Sequence, residues 1–296
     1  MCNNKRIAIY FIFSLTLFLG FFLNENSSGG AKIDYEYLIP FIKNFSIGFK
    51  TGLDLFAQDT GSLIHSPVFY ILIGFFLKIT KSILFVKFLY ILTSCLLPYV
   101  FYLIIKTKYK VQTDYVFIFS LIIFLSPYFR SSAIWLLGDN LSLLFFSLSI
   151  LFYLKTKDEK EKILNYYLCF IFLILCCYIR YYYCIFSVYF LIIFYKNLNF
   201  KYFLKILIIG FILTIPAIFY LYYVTGSYNF IGRISGYGHI NYYSNSLIIL
   251  SILLFYLFPF VFTKNFLILQ FYKKNYQNIL IIFFPIFLMY LIDKLY

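Results

Sequence analysis

Glu25–Pro67 reads ENSSGGAKIDYEYLIPFIKNFSIGFKTGLDLFAQDTGSLIHSP. Five of the eleven acidic residues fall in it: Glu25, Asp34, Glu36, Asp54 and Asp59. It is also the longest segment without an apolar run of membrane grade. The rest of the chain is mostly Phe, Ile, Leu and Tyr, so this polar stretch is either a connector or the place where chemistry is done.

The 296 residues are 63% hydrophobic with a mean hydropathy of +0.89. No soluble domain requires that much apolar surface, so the chain reads as an all-α polytopic membrane protein. The net charge is +14. The basic residues sit mostly between apolar runs. They therefore read as topology signals and contacts to anionic membrane lipids, not as a nucleic-acid surface. Of the six cysteines, all but Cys2 lie within apolar runs and none has zinc spacing, so they read as small buried hydrophobes.

Lys5 and Arg6 precede the apolar run Ile7–Leu23, which is long enough to span and lacks a signal-peptidase-type site. It reads as an uncleaved first helix with a cytoplasmic N-terminus, which puts the Glu25–Pro67 loop outside. Further spans are expected at Ile83–Ile105, Tyr115–Pro127, Asn140–Leu154, Ile163–Ile179, Tyr181–Tyr195, Phe203–Val224, Leu247–Phe262 and Ile279–Ile292. Four basic clusters then face the cytoplasm: Lys106/Lys108/Lys110, Lys155/Lys157/Lys160/Lys162, Lys196/Lys201/Lys205 and Lys264/Lys273/Lys274. Pro67–Ile79 is apolar, but at about 13 residues it makes only roughly 20 Å of helix, short of a bilayer core of roughly 30 Å. It reads as a juxtamembrane or re-entrant helix. The expectation is about nine transmembrane helices, with juxtamembrane helices in an outer loop over 24–82. All belong to one transmembrane domain over 1–296, with no separate soluble domain.

This topology gathers Asp34, Glu36, Asp54, Asp59, Asp139, Arg130, Arg180, Arg233, His65 and His239 on the outer face. Arginine binds phosphate with a planar fork, and a carboxylate can take the proton of an attacking hydroxyl. Two readings stand for Asp34: an anion placed near a helix N-terminus as a cap, or a base. Asp139 is likewise either an N-cap before Leu141 or a functional acid. Arg180 lies in LCCYIRYYYCIF. A cation there is costly unless it is paired or reaches water, so it either snorkels or binds an anion. Arg130 reads as a supporting residue or an interfacial anchor. The connection GSYNFIGRISGYGHINYY at Gly226–Tyr243 lacks P-loop spacing. His239 and His65 are each an acid/base, a metal ligand or an interfacial hydrogen-bonding group.

The order of these features resembles the GT-C superfamily, polytopic glycosyltransferases that use polyprenyl-phosphate sugars. Two branches are similar: the aminoarabinose and protein-mannose transferases, and the dolichyl-phosphate-glucose alpha-1,2-glucosyltransferase family. The pattern D-E-x-F-H-x-P of the second compares with Asp34-Tyr35-Glu36-Tyr37-Leu38-Ile39-Pro40. Its T-P-P-G-L-Y compares with His65-Ser66-Pro67-Val68-Phe69-Tyr70, and its R-Q-T-N with Arg180-Tyr181-Tyr182-Tyr183. Its G-D-R-S-x-H loop compares with Gly232-Arg233-Ile234-Ser235 and His239. The sequence departs from the family at Tyr35, Leu38 and Tyr181.

The resemblance implies inverting transfer of a sugar from a polyprenyl-phosphate donor on the outer leaflet. The acceptor would be a lipid-linked glycan, a polysaccharide or a protein. Asp34 would be the base, and Arg180, with Arg233, would hold the departing phosphate. His239 would sit nearby, and Asp139 would orient the acceptor or a cation. Glu36, Asp59, His65 and Arg130 are candidate supporting residues. The one cofactor that enters is a divalent cation: two outer carboxylates could hold one, but a pair is not a coordination set. The alternative class is a transporter or flippase of lipid-linked sugars, which would carry ionisable residues near mid-span and paired broken helices. Lys87 is the one charge placed that way.

Overall fold

The computed structural model describes residues 3–58, 66–110, 114–156 and 162–227, and every regular element among them is a helix. Among the described residues, three helices are long and apolar enough to cross a membrane: Asn4–Phe22, Ile83–Tyr109 and Phe200–Phe219. They belong to α1 (Asn3–Phe22), α5 (Ile83–Tyr109) and α11 (Phe200–Ser227). The expected spans Leu247–Phe262 and Ile279–Ile292 lie outside the described residues.

A bent helix pair also has the length and apolarity of a crossing, as a broken span or a re-entrant loop. The sequence predicts a span over Tyr115–Pro127. Instead α6 (Asp114–Leu121) tightens into a 3₁₀ turn at Ile122–Leu125 and breaks by 63° into α7 (Pro127–Ile134). The cause is local. Pro127 has no N–H to continue the ladder, and it pushes Ser126 out of the helical region to φ −68, ψ 122. Ser126 then caps α7, accepting from the Phe129 N–H.

Cross-helix contacts set the direction of each helix. At one end Arg6 of α1 meets Tyr102 of α5 and Asp114 of α6. At the other, Arg130 of α7 bonds Thr16 of α1, and the Trp135 indole N–H donates to Glu25 O at 2.7 Å. Tyr90 of α5 hydrogen-bonds Leu137 O and accepts from the Leu141 N–H. The helices α8 (Asp139–Lys155) and α9 (Lys162–Ile179) run antiparallel, tied by Ser149–Cys169 and Asn165–Lys155. Next α10 (Cys184–Asn197) turns back, so that its Phe194 meets Tyr166 near the start of α9. Finally α11 rises until its Leu213 accepts from the Tyr178 hydroxyl. Lys5, Lys106, Lys108, Lys155 and Lys196 therefore share one end of the bundle. Glu25, Asp139 and Arg180 share the other.

The first loop packs on that second end as α2 (Ala31–Ile47), α3 (Phe49–Gln58) and α4 (Val68–Thr80). Phe41 of α2 sets its ring against Phe56 of α3 and Tyr70 of α4. The α2–α4 crossing is close because Gly74 has no side chain. A Cβ there would lie 2.7 Å from Phe45 Cβ and 2.9 Å from Ile42 O. Only a small residue allows that approach. Lys81, in the left-handed region at φ 54, reverses the chain, and Ser82 caps α5 by accepting from the Phe85 N–H. The short helix thus begins and ends at the same end of the bundle.

Candidate functional site

Asp34 stands in the first turn of α2. Gly30 is the cap residue and makes no side-chain bond, so Asp34 is not an N-cap; its own N–H bonds Gly30 O at 3.0 Å. An anion is favoured there by the helix dipole. The carboxylate is exposed and makes no ion pair or side-chain hydrogen bond among the described residues.

Asp139 opens α8, and its N-cap is Gly138, again without a side-chain bond. Asp139 is therefore not an N-cap either. The Asp139 carboxylate turns to Arg180, whose Nη2 donates to Oδ2 at 2.7 Å. Arg180 follows the last residue of α9 in extended backbone, before a 3₁₀ turn at Tyr181–Tyr183. Its side chain is 15% exposed, against 46% for Asp139. Burial works against the guanidinium charge, but Asp139 beside it outweighs burial and holds it above its usual value. Its Nε is sealed from solvent with no partner among the described residues. A buried orphan donor carries a penalty of about 1–3 kcal/mol, which a ligand oxygen would relieve.

Asp34 and Arg180 line one cavity of about 220 Å³. Tyr37 and Tyr70 add hydroxyls to it, and Gly138 lets the chain pass close to Ile179. Leu38, Phe69 and Leu137 make its apolar wall. The volume is below the roughly 300–1,000 Å³ of a pocket that encloses a whole ligand. It suits the reacting groups of a larger molecule. A free carboxylate and an unsaturated guanidinium in one partly dry notch can move a proton and hold an anion.

Arg130 is not at this cavity. Its Nε and Nη2 clamp Glu25, with Nε 2.7 Å from Oε1; Nη1 donates to Thr16 Oγ1 and Phe124 O, and Nη2 also to Thr16 O. Every nitrogen of that guanidinium is used, so the residue holds α1, the 3₁₀ turn and α7 together. The clamp also holds the Glu25 carboxyl below its ordinary value. Glu36 is exposed, 3.9 Å from Lys32 on the surface of α2. Asp59, His65, Arg233 and His239 lie outside the described residues.

Three groups were not singled out by the sequence reading. Tyr70 is carried by the S-P-x-x-Y stretch, but Tyr37 has no signal in a chain with 32 tyrosines. The third is the surroundings of Lys87, which is only 8% exposed. Its ammonium lies 3.7 Å from the Tyr35 ring centre and 4.5 Å from that of Trp135, and it forms no ion pair among the described residues. That box joins α5 to the first turn of α2, next to Asp34. No group of three or more potential metal ligands occurs among the described residues.

Compared with family models, curated proteins and solved structures, the chain matches none.

Proposed function

We propose that the chain is an integral-membrane glycosyltransferase of GT-C type that moves a sugar from a polyprenyl-phosphate donor to an acceptor hydroxyl at the outer membrane face. The observation that carries this reading is the cavity shared by Asp34 and Arg180. In this proposal Asp34 takes the acceptor proton. The acceptor oxygen attacks the anomeric carbon from the face opposite the phosphate. The bond from that carbon to the phosphate oxygen breaks, its electron pair leaves with polyprenyl phosphate, and the configuration inverts. Arg180 stabilises the departing charge through donors that Asp139 leaves unfilled. Asp139 holds the guanidinium in place. Arg233 and His239 are assigned to the phosphate on the resemblance alone. The lysine-bearing end of the bundle would face the cytoplasm, consistent with the positive-inside tendency. The acceptor is a lipid-linked glycan, a polysaccharide or a protein, and a divalent cation remains a candidate participant.

The test uses the full chain in proteoliposomes with a polyprenyl-phosphate sugar. Wild type should bind and transfer, while Arg180→Ala should weaken donor binding by about tenfold or more, the loss of one charge-assisted contact. Donor binding with no transfer to any acceptor class would point to the transporter reading. Unchanged binding in Arg180→Ala would reduce the residue to a structural partner of Asp139.

A further inference from the structure

A second cavity, of about 530 Å³, opens at the lysine end between α1, α5 and α6. It falls in the size range of small-molecule pockets. The rings of Tyr10, Tyr99, Tyr102 and Phe117 wall it as two edge-on pairs, Tyr10 against Tyr99 at 80° and Tyr102 against Phe117 at 90°, that meet each other tilted. Leu96 and Ile7 complete the apolar part. The two charged side chains in the lining, Arg6 and Lys106, are both cationic.

These two cations are not equivalent. Arg6 is held in place by Asp114, at 3.0 Å from Nε and 2.7 Å from Nη2, and by the Tyr102 hydroxyl at 3.4 Å. Lys106 makes no hydrogen bond or ion pair among the described residues. The cavity therefore carries one oriented guanidinium, already shared with a carboxylate, and one uncommitted ammonium.

Depth decides what fits. Leu96 and Lys106 lie on the same helix, ten residues apart in sequence. At a helical rise of 1.5 Å per residue that is about 15 Å, half of a hydrocarbon core of roughly 30 Å. The cationic mouth thus lies at headgroup level when the apolar foot lies near the bilayer midplane. Tyrosines at such a boundary present an apolar ring and a polar tip. A small soluble anion would use the mouth and leave the foot empty. We infer that this cavity is a binding site for an anionic phospholipid, with its phosphate against Lys106 and Arg6 and its glycerol and upper acyl segments against Tyr10, Tyr99 and Leu96. The site is at the opposite end of the bundle from Asp34 and Arg180, so it is not the donor pocket and does not depend on transfer activity.

The full chain in detergent is titrated with dioleoyl phosphatidylglycerol or dioleoyl phosphatidylcholine, and retained lipid is counted by native mass spectrometry. Wild type should retain the anionic lipid in preference to the zwitterionic one by about fivefold, the effect of one lysine at an anionic headgroup. Lys106→Gln should remove that preference, and Lys108→Gln, exposed one residue beyond Thr107, should keep it. Excess inorganic phosphate should leave the lipid bound. Equal retention of both lipids, equal losses in the two variants, or full displacement by inorganic phosphate would overturn the assignment.

Discussion

Arg180 donates one hydrogen bond to Asp139, Nη2 to Oδ2 at 2.7 Å, and leaves its Nε buried without a partner among the described residues. The comparison with Arg130, at the same end of the bundle, shows what this means. Arg130 spends all three nitrogens on Glu25, Thr16 and Phe124. One arginine is saturated and structural; the other retains donors beside a cavity.

The Arg180–Asp139 pair should couple energetically. Exposed pairs contribute about 0–1 kcal/mol, and breaking a buried one costs about 3–5 kcal/mol. Here the guanidinium is mostly buried while Asp139 is nearly half exposed, so a coupling of about 1–2 kcal/mol is expected. Unfolding of Asp139→Asn, Arg180→Gln and the double variant measures it. Strict additivity would mean that the contact contributes nothing.

Glu25 should make stability depend on acid pH. Its carboxyl is held below the ordinary value of 4.5, first by the hydrogen bonds from Arg130. A depressed carboxyl stabilises the folded state fully above the unfolded value, and that stabilisation is lost as pH falls through the folded value. The advantage of wild type over Glu25→Gln in thermal unfolding should thus be constant above about pH 5 and shrink on acidification below it. A difference that does not change down to about pH 3 would contradict the clamp.

Lys87 should tolerate loss of its charge better than reversal. Two ring faces attract the ammonium by about 1–2 kcal/mol, but its burial opposes the charge by a similar amount or more. Lys87→Met keeps the stem and removes both effects, so it should change stability by less than about 1 kcal/mol. Lys87→Glu places a carboxylate against the negative faces of Tyr35 and Trp135 and should cost about 3 kcal/mol or more. Comparable unfolding temperatures for the two variants would remove the ring box as a stabilising element.

The helices are legible because long apolar runs separated by lysines have few alternatives. Charged residues are only 12% of the chain, so Asp34, Asp139 and Arg180 stand out as soon as they are seen in apolar surroundings. Their partners do not. Asp139 meets Arg180 only because α8 and α9 pack side by side. In the sequence Arg130 reads as a companion of the same site, yet Glu25, just past the end of α1, captures it. The bend at Ser126–Pro127 is written in two residues, but the continuing apolar pattern hides it. The Lys87 box is invisible because aromatics make up 25% of the sequence, and no single ring announces a cation nearby.

The most direct test of the account is transfer by Asp34→Asn in proteoliposomes, measured beside donor binding on the same preparation. The substitution keeps size and polarity and removes only the ability to accept a proton. Donor binding within about twofold of wild type, with transfer reduced by about a hundredfold or more, is the expected result for loss of a general base. Wild-type transfer rates in Asp34→Asn would contradict it.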